Sequence, residues 1–197
     1  MRLIEVKNRI SNLGVDVLQT HEVAKILDLS NAGASLVLHR LEKAGEVLSL
    51  KKGLWLLDKN ASPFYIGEQL ARPYSAYVSL QSALYLHGLI SQIPQTYYFV
   101  TLARSGKRDF LKSHYSYHRL EAYLFEGFEL KDSFNLATPE KALFDTFYFS
   151  ATRDLAFKSL PELELPKKFS MSQLSRWCKK IKNPRLKSHV QSLIEKI

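Results

Sequence analysis

Ser30-Asn31-Ala32-Gly33-Ala34-Ser35-Leu36-Val37-Leu38-His39-Arg40-Leu41-Glu42-Lys43-Ala44-Gly45 has a capping residue at one end and a helix stop at the other. Ala34, Val37, Leu38, Leu41 and Ala44 recur at helical spacing, which predicts a helix over about 31–44 with one buried stripe. Working back, Leu29-Ser30-Asn31 reads as a tight turn. Before it, Thr20 is placed to cap a helix over 21–28, with Glu22 in its first turn and Val23, Ala24 and Leu27 facing inward. Residues 2–13 form a further helical pattern that stops at Gly14, and Val15 to Leu18 is a short β-branched stretch. Working forward, Glu46 to Leu50 and Leu54 to Leu57 read as two strands. Lys51-Lys52-Gly53 joins them, with glycine supplying the positive φ of a tight hairpin. Helix, capped helix, turn, helix and hairpin is the order of a winged helix-turn-helix, expected over residues 1–60.

Polar residues at 58–62 resemble a linker, and 61–197 reads as a second, mixed domain. Pro63 to Ala71 is helical in pattern. Ser79 is placed to cap a helix over 80–87 that ends at Gly88. Thr96 to Leu102 is the clearest strand, with Tyr115 to Leu120 and Tyr123 to Phe125 as further strands. Thr138-Pro139-Glu140 is a strong helix start, with cap, proline and acid in order. Two helices, about 171–182 and 185–196, flank Asn183-Pro184. The fold class expected is α+β: a winged helix-turn-helix, then a mixed α+β domain with a helical C-terminal end.

The chain of 197 residues carries a net charge of +9, which favours polyanionic partners. That charge is uneven. Residues 1–60 hold nine Lys and Arg against seven Asp and Glu, whereas residues 167–197 hold nine against Glu195 alone. Cys178 is the single cysteine and has no internal partner for a disulfide, which fits a reducing, cytoplasmic setting. Met1 to Gly14 mixes Arg2, Glu5, Lys7 and Arg9 with its apolar residues and does not read as a leader. No Asp, Glu, Lys or Arg lies between Arg72 and Arg104, but Gln81, His87, Gly88, Gln92, Pro94 and Gln95 interrupt that run. It therefore reads as buried core, and no membrane partner is expected.

A recognition helix needs one apolar face for docking and one polar face that reaches base edges. Asn31, Ser35 and His39 stack four residues apart on the outer face, where Asn suits adenine and Ser either edge. Leu36 suits a thymine methyl. Arg40 and Lys43 are placed for phosphate, and Lys51 and Lys52 at the wing tip for the DNA backbone or minor groove. A second nucleic-acid surface is expected from Arg104, Lys107 and Arg108 in a cationic loop, and from Arg176, Lys179 and Lys180 on an amphipathic helix. That helix turns Leu174, Trp177 and Ile181 inward.

Leu38-His39-Arg40-Leu41, Gly45 and Lys52-Gly53-Leu54-Trp55 resemble the winged-helix start of AbiEi-type antitoxins. Tyr77-Val78-Ser79-Leu80-Gln81-Ser82-Ala83-Leu84, His87-Gly88-Leu89, Pro94 and Tyr97-Tyr98-Phe99-Val100-Thr101 resemble the central block of that family. Ala137-Thr138-Pro139-Glu140-Lys141-Ala142-Leu143-Phe144-Asp145 resembles its most characteristic helix start. The resemblance implies a type IV toxin–antitoxin system linked to abortive phage resistance. The antitoxin would repress its own operon by binding double-stranded operator DNA. It would counter a nucleotidyltransferase-like toxin without a stable complex, through its C-terminal domain. A winged-helix regulator without a toxin would share these features. Repeated half-sites would suit two or more copies, by dimerisation or cooperative loading.

A nuclease delivered by a winged helix is the other class of reading. Asp109, Glu121, Glu126 and Glu129, with Lys107 and Lys131, are its candidate residues, but their spacing matches no metal-ligand motif. His21, His39, His87, His114, His118 and His189 show no zinc spacing, and there is no phosphate-binding glycine loop. No catalytic residue, metal or cofactor is therefore expected. Cys178 has Lys179 and Lys180 as neighbours, and cations beside a thiol can lower its pKa, but a lone helix cysteine is more often structural.

Overall fold

The computed structural model describes residues 2–58, 60–151 and 162–197, so Lys59 of the expected linker lies outside the described residues. The chain is mixed α+β with a helical C-terminal end, and it divides into two compact units, Met1–Leu70 and Ala71–Ile197.

The first unit runs α1 (Leu3–Ser11), β1 (Val17–Gln19), α2 (Thr20–Leu27), α3 (Asn31–Lys43), β2 (Leu48–Lys51), β3 (Leu54–Leu56) and α4 (Pro63–Ala71), which reaches the division. The expected order of helices, turn and hairpin is present. The strands form an antiparallel sheet in the order β1-β3-β2. Val6, Ile10, Val23, Ala24, Leu27, Ala34, Leu38 and Leu41 fill one core with Trp55. Ala44, expected in the buried stripe, is exposed, because α3 ends at Lys43 and Ala44 is its C-cap. The α2 cap also differs. Gln19 is the N-cap and its backbone N–H donates to Glu22 Oε2 at 2.6 Å. Thr20 is the first helical residue instead, and its Oγ1 accepts from the Trp55 indole at 2.9 Å. The unit extends to Leu70 rather than ending at 60. Lys51 Nζ donates to the Leu70 carbonyl at 3.1 Å and so ties the hairpin to the end of α4.

The second unit is built on a six-stranded sheet. Its strands are β4 (Ala76–Val78), β5 (Tyr97–Thr101), β6 (Gly106–Phe110), β7 (Ser113–Arg119), β8 (Phe128–Lys131) and β9 (Phe134–Ala137). The spatial order is β6-β7-β5-β4-β9-β8, with parallel pairs at β5–β7 and β4–β9. Tyr123 to Phe125, expected as a strand, is instead one turn of 3₁₀ helix over Ala122–Leu124. The expected cationic loop is shorter than predicted, since Lys107 and Arg108 lie within edge strand β6.

Among the described residues the unit also carries helices α5 (Leu80–Leu86), α6 (Pro139–Ser150), α7 (Met171–Lys180) and α8 (Pro184–Ile194). Thr138 caps α6, its Oγ1 accepting from Lys141 N at 3.3 Å, and Pro139 follows at the first position. Asn183 Oδ1 likewise accepts from the N–H groups of Arg185 and Leu186 at the start of α8. Ser79 sits at the N-cap of α5 without capping it through its side chain. Its hydroxyl is committed to Asp145. Helix α6 is central, with every residue from Glu140 to Phe147 buried. Among the described residues, no helix is long and apolar enough to cross a membrane.

Candidate nucleic-acid interface

Ser30 starts α3 as predicted, its Oγ accepting from Gly33 N at 3.1 Å. With Ala34, Leu38 and Leu41 buried, helical geometry turns Asn31, Leu36, Arg40 and Lys43 to solvent, with Ser35 half-buried beside them. Leu36 is 63% exposed amid these polar groups, where a lone apolar side chain is ordinary for a protein surface. His39 is exposed but oriented from within the unit. Its Nδ1 lies 3.1 Å from Glu42 Oε2, and its ring stands edge-on to Trp55 with centroids 5.0 Å apart.

The cations of this unit are not all available. Lys51 is half-buried and bonded to the Leu70 carbonyl, so of the two hairpin lysines Lys52 is the exposed one. Lys7 pairs with Glu46 at 2.5 Å, and Arg9 donates to the Ile26 carbonyl at 3.1 Å. Of the cations expected to contact DNA from this unit, Arg40, Lys43 and Lys52 are exposed.

The expected second surface is separated into parts. Strand β6 alternates, so Lys107 and Arg108 point to opposite faces of the sheet. Lys107 lines a cleft of about 270 Å³ with Tyr98, Asp109, His114 and Ser116. Arg104 and Arg108 line another, of about 220 Å³, with Ser105 and Tyr117. On α7, Arg176 and Lys179 are exposed, while Lys180 pairs with Glu126. Arg176 borders a small cleft with Glu126, Gly127 and Trp177.

Glu126 also accepts from the Trp177 indole at 2.8 Å, so this carboxylate latches α7 by two bonds. Lys180 holds the Glu126 carboxyl below its ordinary range, against partial burial, with help from Trp177. A carboxyl lowered in the folded state contributes stability above its unfolded value and loses it as pH falls through the folded one. Acidification below the usual glutamate range should therefore shift the Trp177 indole N–H resonance before the unit unfolds. An unmoved resonance down to global unfolding would contradict the latch.

The most buried polar cluster was not singled out from the sequence as a site. Lys141 and Asp145 are both 0% exposed and joined at 2.6 Å. Asp145 Oδ2 accepts from Tyr77 OH at 2.9 Å and from Ser79 Oγ at 2.7 Å. The Lys141 ammonium lies 4.7 Å from the Phe144 ring centroid and 5.7 Å from that of Trp177. Burial pushes the Asp145 carboxyl up and the Lys141 ammonium down, while their mutual attraction opposes both shifts. The i,i+4 spacing on a helix start was the available signal.

The nuclease candidates do not converge. Asp109 pairs with His114 at 2.7 Å and Glu126 with Lys180, and no cluster of three or more metal-ligating side chains occurs among the described residues. Cys178 is buried, and burial raises its thiol pKa. Lys187, rather than its chain neighbours Lys179 and Lys180, is the cation that acts against this rise, and burial outweighs it. No known family model matches the chain, and no curated protein matches it.

Proposed function

We propose that this chain is a DNA-binding autorepressor and the antitoxin of a toxin–antitoxin pair, with its first unit acting as a winged helix-turn-helix. The observation that carries the DNA-binding part is the exposed face of α3. Asn31 and Ser35 lie toward its capped start and Arg40 and Lys43 toward its end, opposite a fully buried stripe. The antitoxin part rests on the resemblance of two sequence blocks, and those blocks meet in space. Tyr77 and Ser79 from one bond Asp145 from the other.

Binding of the purified protein to its own upstream DNA, against a scrambled duplex at near-physiological salt, tests the reading. Preference for its own promoter, with protection at helical-turn intervals, is the expected result. Arg40→Ala should weaken own and scrambled duplex alike and reduce the salt slope by ~0.9 for the lost phosphate contact. Asn31→Ala and Ser35→Ala should instead erode preference by ~1–3 kcal/mol per base contact. Equal losses on every duplex for all three would refute this division of roles. Co-expression with a neighbouring toxin gene then separates an antitoxin, which restores growth, from a regulator that does not.

A further inference from the structure

The six-stranded sheet ends at β6 and β8, and among the described residues each has a neighbouring strand on one side only. An edge strand leaves the N–H and C=O of alternate residues unpaired, so it can template another strand. Charged side chains often guard such an edge. Their effect on a second copy depends on which charges come to stand opposite each other.

Strand β8 reads Phe128-Glu129-Leu130-Lys131. Its charges meet no counter-charge across the hairpin, since Glu129 lies opposite Leu136 and Lys131 opposite Phe134. Among the described residues neither makes an ion pair. Between them Leu130 is 71% exposed, the most exposed large hydrophobic side chain of the described residues.

Two copies of one strand joined edge to edge across a two-fold axis run antiparallel, and their pairing is symmetric about one residue. With Leu130 on the axis, Glu129 of each copy stands opposite Lys131 of the other. Leu130 meets Leu130 on the other face of the sheet, and both leave water. A slip of one residue turns every side chain to the wrong face. The next symmetric registers set Glu129 against Glu129 or Lys131 against Lys131, and like charges directly opposite are destabilising. Strand β6 has no such match. The register that sets Lys107 against Asp109 also sets Arg108 against Arg108, and Asp109 is already held to His114 at 2.7 Å.

We propose that the free edge of β8 pairs antiparallel about Leu130 with the β8 edge of a second copy of this chain, so that the sheet continues across a two-fold dimer. The paired stretch is short and its area falls below that of a standard interface. The dimer is therefore weak, with a dissociation constant on the order of 100 µM. The proposal is independent of the DNA-binding reading, since it uses no residue of the first unit.

Sedimentation velocity of the full chain over about 5–500 µM, a span that brackets this constant, tests it. A rise from monomer to dimer mass is expected. Leu130→Lys should abolish the rise. Glu129→Lys turns both opposite-charge pairs into like-charge pairs and should weaken dimerisation by about tenfold or more. Adding Lys131→Glu to that variant exchanges the two charges and restores each pair, so the dimer should return to within about threefold of wild type. All three positions are exposed, and rescue by the exchange shows that the single variant fails through charge rather than through misfolding. A chain that stays monomeric at the highest concentration overturns the proposal. So does a dimer that Leu130→Lys leaves intact, or one that the charge exchange fails to restore.

Discussion

Lys141→Met should destabilise the Ala71–Ile197 unit by about 3–5 kcal/mol, the loss that follows when one partner of a buried ion pair is removed. The methionine fills most of the space but leaves the Asp145 carboxylate 0% exposed with only two hydroxyl donors. Burial already pushes that carboxyl up, and loss of the ammonium pushes it further. A carboxyl whose folded value is raised binds its proton more tightly in the folded state. Its contribution is present at low pH and lost as pH rises through the folded value. The variant should therefore be closer to wild type near pH 4 than near pH 8 in denaturant titrations. Adding Asp145→Asn should recover much of the loss, because the amide oxygen can still accept from Tyr77 and Ser79. A single variant as stable as wild type at pH 8 would show that Lys141 and Asp145 do not form the pair.

Gly127→Ala should cost about 2–5 kcal/mol, from backbone strain and overpacking together. Gly127 has φ +82°, and a Cβ there would stand 2.5 Å from Trp177 Cζ2 and 3.1 Å from Lys141 Cγ. The tryptophan has little room to yield, since it is 5% exposed and its indole is bonded to Glu126. Gly88→Ala is the control. Its φ is +71° but no atom lies within 4 Å of the new Cβ, so it should show the strain alone, about 1–2 kcal/mol. Hydrogen exchange over α7 checks the difference. Protection of α7 should collapse in the Gly127 variant and persist in the Gly88 one.

Legibility followed periodicity. In the first unit the apolar stripes of α2 and α3, the Ser30 cap and the glycine of the hairpin could be read because each is local. Thr20 could not be read correctly, because its hydroxyl serves Trp55 on a distant strand rather than its own helix. Ser79 shows the same conflict, its hydroxyl diverted to Asp145. The edge strands were hardest. Gly106–Phe110 carries Lys, Arg and Asp in a row and owes its extended form to pairing with β7. Hairpin β8–β9 turns through Asp132 at φ +54°, without the glycine that would have announced it. On the candidate interface, side-chain types were legible but availability was not. Lys51 and Lys180 look like free cations in sequence, and each is tied to a partner far along the chain.

Val78 on β4 pairs in parallel with Leu136 on β9, while β5 lies on its other side. The middle of the six-stranded sheet is therefore closed by one of the last strands to leave the ribosome. Pairing across so long a loop is slow, because its entropy is lost before contacts reward it. The Met1–Leu70 unit holds its whole core in residues already synthesised. The nascent protein should thus have its first unit folded while Ala76–Val78, a wholly buried strand, still waits for its partner on one side, and that interval is when a chaperone would matter most.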